Sequence, residues 1–215
     1  MGTYMREPIN GLTHLFGAIL SFVGLLAMVI KASTTADSTL AIVSVIIFGI
    51  SMTLLYAASA TYHLVVAKAH VIAFLRRLDH SMIFVLIAGT YTPLCLISLS
   101  GLTGWVLFTI ISAIAVAGVS FKLIWFHAPR WLSTALYIAM GWIVVFFSSS
   151  LAPVLGTNGM ALLIIGGLIY TVGAFIYWLK PKFMEFKHFG FHEIFHIFIL
   201  LGSLFHFLCV YVYVL

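Results

Sequence analysis

Charged residues are so sparse along this 215-residue chain that five long stretches contain none. These stretches cover residues 8–30, 38–67, 80–121, 131–179 and 194–215, with lengths of 23, 30, 42, 49 and 22 residues. A helix needs about 20 apolar residues to cross the hydrocarbon core of a bilayer. The first, second and fifth stretches each hold one such span and the other two hold two each, so the sequence predicts seven spanning helices.

The composition excludes a water-soluble protein. Only 7% of the residues are charged and 64% are hydrophobic, and the mean hydropathy is +1.23, whereas soluble domains carry about 25% charged residues. Disordered chains are poor in apolar residues, so disorder is excluded as well. A membrane β-barrel would show strands of roughly ten residues with alternating polarity, which are absent here. The predicted fold is therefore an all-α integral membrane bundle of seven helices in a single domain.

Turn-forming residues divide the two longest stretches where the count of spans requires it. The first break is Ser98–Gly104 and the second is Pro153–Gly159, both rich in glycine and small polar residues. The predicted spans are 10–30, 40–66, 78–98, 104–122, 131–151, 160–179 and 190–213.

Cationic residues are unevenly divided between the two sides of such a bundle. One side would receive nine of the ten, and the other would receive only Lys31. Because positive charge is retained on the cytoplasmic side, the N-terminus is predicted to be cytoplasmic and the C-terminus to lie outside. The asymmetry accounts for the formal charge of +5 without a nucleic-acid partner. The nine are Arg6, Lys68, Arg76, Arg77, Lys122, Arg130, Lys180, Lys182 and Lys187.

The two cysteines, Cys95 and Cys209, lie in apolar segments. Two cysteines in apolar segments are more typical of small buried side chains than of a metal cluster or a disulfide framework. Both fall in the outward halves of their helices, so the sequence leaves open whether they pair.

Ionisable groups inside spans are costly, which makes each of them a functional hypothesis. The predicted topology places several of them in the cytoplasmic leaflet, on four different helices. His192 and His196 are four residues apart, a spacing that puts both imidazoles on one helix face, and Ser59 and His63 repeat it. The full set at this depth is Glu7, His14, Ser59, His63, Asp79, His192 and His196.

Three of these histidines suit a metal ion. His63, His192 and His196 would supply three nitrogen ligands and leave a fourth tetrahedral position for water, the open arrangement of a catalytic zinc site. Zinc bound in this way polarises carbonyl groups and acidifies its water. At the same depth, Asp79 could orient that water or accept its proton, and Ser59 could donate a hydrogen bond to it or to a reacting oxygen.

Simpler interpretations stay open for several of these groups. Histidines near a bilayer surface often serve only as polar groups beside lipid headgroups, and the H-x-x-x-H spacing alone is a weak motif. Glu7, Asn10 and His14 share one face of the first helix, where they either cap it near Pro8 or support the metal ligands by hydrogen bonds. His206 is about 15 Å beyond His196 along the helix and is interpreted as a hydrogen-bonding residue in helix packing.

The polar motifs jointly resemble the hemolysin III branch of the PAQR family, the progestin and adiponectin-Q receptors. The matching segments are Glu7-Pro-Ile-Asn10-Gly-Leu-Thr13-His14, Ser59-Ala-Thr-Tyr-His63, Leu78-Asp79-His80, Gly89-Thr-Tyr-Thr-Pro93, His192-Glu-Ile-Phe-His196 and Phe205-His-Phe207. The resemblance covers essentially the whole chain. It implies a seven-helix fold in a bacterial cytoplasmic membrane and a zinc ion held by His63, His192 and His196, with Asp79 on the zinc-bound water and Ser59 close by.

The resemblance implies two different activities, and a third hypothesis stands beside them. Relatives that include alkaline ceramidases indicate a zinc-dependent hydrolase of lipid amides or esters, whereas the hemolysin III name indicates lysis of cells through membrane damage or pores. The third hypothesis is a receptor or sensor whose metal is structural. In each case a membrane lipid is the expected substrate or ligand, and the sequence leaves homo-oligomerisation open.

Overall fold

A computed structural model describes residues 4–35, 38–125, 127–186 and 189–215 of the chain. Within these ranges the only β-pairing is an isolated bridge between Phe186 and Phe189. The predicted all-α class is therefore confirmed for the described part. Lys187, which the sequence analysis counted among the cytoplasmic cations, lies outside it.

The described residues form seven α-helices. Short 3₁₀- or π-helical turns extend three of them. A π-helical turn follows α3 (Leu94–Leu99) and another follows α7 (Val210–Val214), and a 3₁₀ turn (Ile143–Phe147) joins α5 to α6. The helices are α1 (Pro8–Thr35), α2 (Thr39–Leu64), α3 (Ala69–Pro93), α4 (Gly101–Ile124), α5 (Arg130–Trp142), α6 (Ser148–Leu179) and α7 (Phe191–Cys209).

The described chain contains six helical segments long and apolar enough to cross a membrane, not the seven that the sequence predicts. The predicted fifth and sixth spans lie together in one segment of 50 residues, Arg130–Leu179. The helix is kinked within this segment at Gly156, where the backbone departs from helical geometry with φ of 62° and ψ of −179°. Glycine tolerates this positive φ because it has no Cβ.

The two parts of this long segment fold back on each other. The guanidinium of Arg130 donates a hydrogen bond to the backbone carbonyl of Tyr177 at 3.3 Å, and the Trp142 indole donates to the Thr171 hydroxyl at 2.9 Å. The earlier residue of α5 contacts the later residue of α6, and the later residue of α5 contacts the earlier one. Helices α5 and α6 therefore run antiparallel, and the chain reverses near Gly156.

Backbone contacts define two ends of the bundle. At one end the Glu7 amide donates to the His63 carbonyl at 2.9 Å, so the N-terminal segment lies beside the end of α2. At the other end the Lys31 ammonium donates to the Tyr211 carbonyl at 2.5 Å. The N-terminal segment therefore lies at the opposite end of the bundle from the C-terminal turn.

Helix α1 shows how the bundle is arranged relative to its surroundings. Its Phe16 and Ile19 side chains are more than half exposed, whereas Asn10, His14 and Ser21 on the opposite side are buried. An apolar exterior around a polar interior is the reverse of a water-soluble helix and suits contact with lipid. Together with the six apolar segments, this arrangement identifies a multi-pass membrane protein.

The two cysteines do not pair in this fold. Cys95 and Cys209 are both buried as free thiols. Each belongs to a separate apolar cluster, Cys95 with residues of α3 and α4 and Cys209 with residues of α6. They act as small packing residues in the helix bundle.

Candidate metal centre

Three histidine side chains from two helices converge at one end of the bundle. His63 lies in the last turn of α2, and His192 and His196 lie in the first turns of α7. One nitrogen of each lies within 4.8 Å of the others, and His63 and His196 are almost fully buried. The structure therefore brings together the three residues that the sequence analysis selected as metal ligands.

The spacing of the imidazole nitrogens suits a zinc ion. The Nε2 atoms of His63 and His192 are 3.4 Å apart. Two ligands at zinc–nitrogen distances of about 2.0–2.1 Å and a tetrahedral angle would be separated by roughly 3.3–3.4 Å. The residues present thus fit this metal in ligand type, in number and in the one nitrogen–nitrogen distance that can be compared.

Two of the three imidazoles are oriented by hydrogen bonds from their other nitrogen. The Nδ1 of His63 forms a hydrogen bond of 2.5 Å with the Glu7 carboxylate. The Nδ1 of His196 lies 3.3 Å from the backbone carbonyl oxygen of Asn10. If each Nδ1 carries the proton and donates it, each Nε2 is left free for a metal ion. Partners of this kind fix the ring orientation of metal-binding histidines.

The carboxylate of Glu7 is suited to this role. Its hydrogen bond with His63, together with the nearby Arg6 guanidinium at 3.3 Å, holds its pKa below the usual value for glutamate. Glu7 consequently remains ionised and a strong hydrogen-bond acceptor. Of the two interpretations that the sequence left open for Glu7, the contact with His63 matches support of a metal ligand.

Glu193 has a part that the sequence analysis did not give it. Its carboxylate accepts a hydrogen bond from the Asn10 side-chain amide at 2.8 Å. It also accepts one from the Gly190 amide at 2.7 Å, which caps the start of α7. Glu193 therefore fixes the side chain of Asn10, whose backbone carbonyl faces His196. Its position three residues after the helix start was the available signal.

His14 lies directly against the three histidines. Its ring stacks on that of His196, with centroids 3.6 Å apart and planes at 9°, and Tyr56 contacts it edge-on at 5.0 Å. His14 is buried, and neither of its ring nitrogens has a hydrogen-bond partner among the described residues. It packs against one ligand ring and fixes its position by contact.

A cavity of about 430 Å³ adjoins the histidines, and its walls are mostly apolar. His14, Ser59, Asp79, His192 and His196 all contribute to its lining. The Ser59 hydroxyl is buried without a partner among the described residues. A polar atom left in this way is available to a bound molecule.

Asp79 shares the cavity wall but not the close cluster of histidine nitrogens. Its carboxylate lies 3.6 Å from Nδ1 of His80. The described metal-ligand group with atoms within 4.8 Å of one another comprises His63, His192 and His196 without it. Asp79 is therefore placed to contact a molecule in the cavity rather than to complete the ligand set.

His206, interpreted from the sequence as a hydrogen-bonding residue in helix packing, makes a ring contact in the structure. Its Nδ1 is buried and has no partner within the described ranges. The ring instead stacks on Tyr170, with centroids 5.3 Å apart and planes at 17°. It packs α7 against α6 through this ring contact.

Comparison with known proteins agrees with the motifs at this site. The family described as "Haemolysin-III related" matches residues 3–207. The chain belongs to the hemolysin III family. Hemolysin-3 of Bacillus cereus is 40% identical, and the alignment covers 100% of this chain and 95% of the relative. A Hemolysin-3 homolog of Bacillus subtilis (strain 168) is 39% identical over 99% of this chain and 96% of the relative.

Membership in the hemolysin III family confirms the branch that the motifs indicated. The matched region contains every residue of the candidate metal centre, from Glu7 to His196. The names of both relatives record hemolysin, and neither mentions a metal or a substrate. The chemistry of the site must therefore be argued from its own residues.

Proposed function

We propose that this hemolysin III protein is a zinc-dependent hydrolase that cleaves a lipid amide or ester inside the membrane. One observation carries the proposal: three histidine nitrogens converge beside an apolar cavity that also contains an unpartnered hydroxyl and a carboxylate. A purely structural metal site requires neither the cavity nor these two groups, since structural zinc sites have all four positions filled by protein.

His63, His192 and His196 would hold the metal. When bound, zinc supplies a Lewis acid that polarises an acyl carbonyl and makes water acidic enough to react near neutral pH. Glu7 and the Asn10 carbonyl keep two of the ligand rings in the required orientation. His14 restricts movement of His196 through their stacked rings.

Ser59 and Asp79 carry the remaining steps. The free hydroxyl of Ser59 can donate a hydrogen bond to the acyl carbonyl oxygen, where negative charge develops during attack. Asp79 can accept a proton from the attacking water and return it to the departing amine or alcohol. Both side chains line the cavity, so both can reach a molecule bound there.

The cavity suits an acyl chain. Its volume of about 430 Å³ is within the ordinary range of small-molecule sites. Leu86, Ile87 and Leu163 are among the aliphatic side chains of its wall. Burying an alkyl chain against them contributes about 0.8 kcal/mol for each methylene group.

The proposed topology has seven crossings in the plasma membrane. A straight helix of 50 residues would be about 75 Å long, more than twice the roughly 30 Å of the hydrocarbon core. The antiparallel contacts between α5 and α6 instead suit two crossings with a reversal near Gly156. With seven crossings the excess of cations places the N-terminus and the metal centre on the cytoplasmic side.

The test is release of fatty acid from liposomes that contain a ceramide and a glycerolipid ester, with the purified full chain. We expect zinc-dependent release by the wild type, a decrease of about 100-fold or more for Asp79→Asn, and loss for His196→Ala. Glu185→Gln and His70→Ala alter exposed residues away from the cavity and serve as matched controls.

Two outcomes would contradict the proposal. One is equal release by the wild type and His196→Ala, and the other is no release from either lipid by zinc-loaded protein. Leakage of a trapped dye that survives loss of all three histidines would instead support the pore-forming alternative.

A further inference from the structure

Three cationic side chains line the same cavity as the histidines. They are Arg76 of α3, Lys122 of α4 and Arg130 at the start of α5. The sequence analysis used them only as markers of the cytoplasmic side. The structure places Lys122 in the interior instead, with only 5% of its surface exposed.

Lys122 is buried without a carboxylate to balance its charge. Its ammonium donates a hydrogen bond to the Ser133 hydroxyl. Throughout the described ranges no acidic oxygen lies within 4.0 Å of it. A buried cation that lacks an anionic partner is costly to maintain.

Arg130 is held at the same cavity by Tyr177. Its guanidinium donates to the Tyr177 carbonyl at 3.3 Å and lies 4.8 Å from the centre of the tyrosine ring. The described residues provide no carboxylate within 4.0 Å of Arg130 either. Its charge is thus satisfied by a carbonyl and a ring face, which leaves other guanidinium donors for a ligand.

The cavity lining has a net positive charge. Its described lining contains the three cations but a single carboxylate, Asp79. The Asp79 carboxylate lies 3.6 Å from Nδ1 of His80. The electrostatics of the cavity therefore favour a ligand that carries at least one negative charge.

The cationic part of the cavity is next to the metal centre. Tyr177 contacts both of them. Arg130 lies over the Tyr177 ring, and the centre of that ring is 5.8 Å from the centre of the His192 ring. The Tyr177 hydroxyl also shares a hydrogen bond of 3.1 Å with His80. One ligand can therefore contact Arg130 with one end and reach His192 with an adjacent group.

We propose that the cavity binds an acyl lipid whose headgroup carries a free anion, a carboxylate or a phosphate monoester, held by Lys122 and Arg130. The acyl chain lies against the aliphatic walls, and the amide or ester bond lies beside the three histidines. Cleavage of that bond rests on the proposed function, whereas binding of the anionic headgroup requires no metal. Ser133, whose hydroxyl accepts the hydrogen bond from Lys122, also lines the cavity.

Three probes with the same lauroyl chain separate charge from hydrophobic binding. N-lauroylglycine carries a carboxylate, lauroyl lysophosphatidic acid carries a phosphate monoester, and N-lauroylethanolamine is neutral. Their affinities for the purified full chain in a nonionic detergent are measured by calorimetry, and the zinc content of each sample is measured separately. The first two probes distinguish the two sources of the anion.

We expect at least one anionic probe to bind the wild type roughly tenfold or more tightly than the neutral one. Lys122→Gln and Arg130→Gln should each remove most of this difference and leave the neutral probe unchanged, and Lys122→Arg should retain much of it. Lys68→Gln is the matched control, because Lys68 is an exposed cation that does not line the cavity.

Equal affinity of the wild type for all three probes would overturn the inference. An equal loss of the preference for anionic probes in Lys68→Gln and Lys122→Gln would also overturn it. If Lys122→Gln does not fold, Arg130→Gln and the wild-type preference still decide. A preference for anions in protein that binds no zinc would support this inference while contradicting the proposed function. Zinc-loaded, active protein without the preference for anionic probes would support the proposed function and contradict this inference.

Discussion

The Nε2 atoms of His63 and His192 lie 3.4 Å apart, although 129 residues separate the two histidines in the chain. This contact exists because the end of α2 and the start of α7 meet at the same end of the bundle. Four helices intervene between these two in the sequence. A side-chain pair held this closely by such distant helices depends on the whole fold.

Single replacement of a metal-binding histidine should remove the metal. We expect purified wild type to contain about one zinc per chain, and His63→Ala, His192→Ala and His196→Ala each to bind zinc far more weakly. The decrease should exceed the roughly 10- to 100-fold cost of losing an outer hydrogen bond. Mass spectrometry of the purified proteins measures this, with His70→Ala as a control. Unchanged zinc in all three variants would exclude this site.

Removing the charge of Glu7 should weaken metal binding without abolishing it. Glu7 holds the His63 ring through a 2.5 Å hydrogen bond, so Glu7→Gln loses the ionised acceptor but keeps a similar shape. We expect zinc affinity to fall by roughly 10- to 100-fold. Competition with a zinc-binding dye measures the change. Glu185→Gln removes the charge of an exposed glutamate and should have no effect; a similar decrease there would indicate a general effect of charge.

The sequence predicted the helices well because bilayer length and charge leave few alternatives. The predicted span 78–98 covers only part of α3, which begins at Ala69. Charged residues mark where a helix leaves the hydrocarbon, not where its hydrogen bonding ends, and Arg76, Arg77 and Asp79 continue the helix. The number of spanning segments differs because the two predicted spans meet at the kink at Gly156 with no loop between them, so they form one segment.

The cluster of three histidines could be predicted from residue type and depth, but the contacts of Glu193 and Lys122 could not. His192 and His196 share a helix face by spacing alone, and His63 was added because the predicted topology gave it the same depth. The roles of Glu193 and Lys122 depend on which helix faces which. The sequence alone does not fix the rotation of each helix about its axis, so neither role could be predicted.

Close packing of α3 and α4 should depend on one glycine. A Cβ added at Gly104 would lie 2.1 Å from the Cys95 carbonyl oxygen, a backbone atom that cannot turn away. We expect Gly104→Ala to destabilise the protein by about 1–3 kcal/mol. At Gly141 no atom lies within 4 Å of such a Cβ, so Gly141→Ala should be neutral or slightly stabilising. Thermal unfolding in detergent compares them; a Tm for Gly104→Ala equal to that of Gly141→Ala would contradict the packing argument.

Labelling of single cysteines should show that the segment Arg130–Leu179 crosses the membrane twice. Thr157 is exposed beside the reversal at Gly156, and Lys182 is exposed just after α6. If the segment crosses twice with the N-terminus inside, Thr157→Cys faces the outside and Lys182→Cys faces the cytoplasm. We expect an impermeant maleimide to label Thr157→Cys in intact cells and Lys182→Cys only after permeabilisation. The buried Cys95 and Cys209 should react little in either case, and the parent chain measures that background. Labelling of both variants from the outside would mean that the two sites share one side, and would rule out the second crossing.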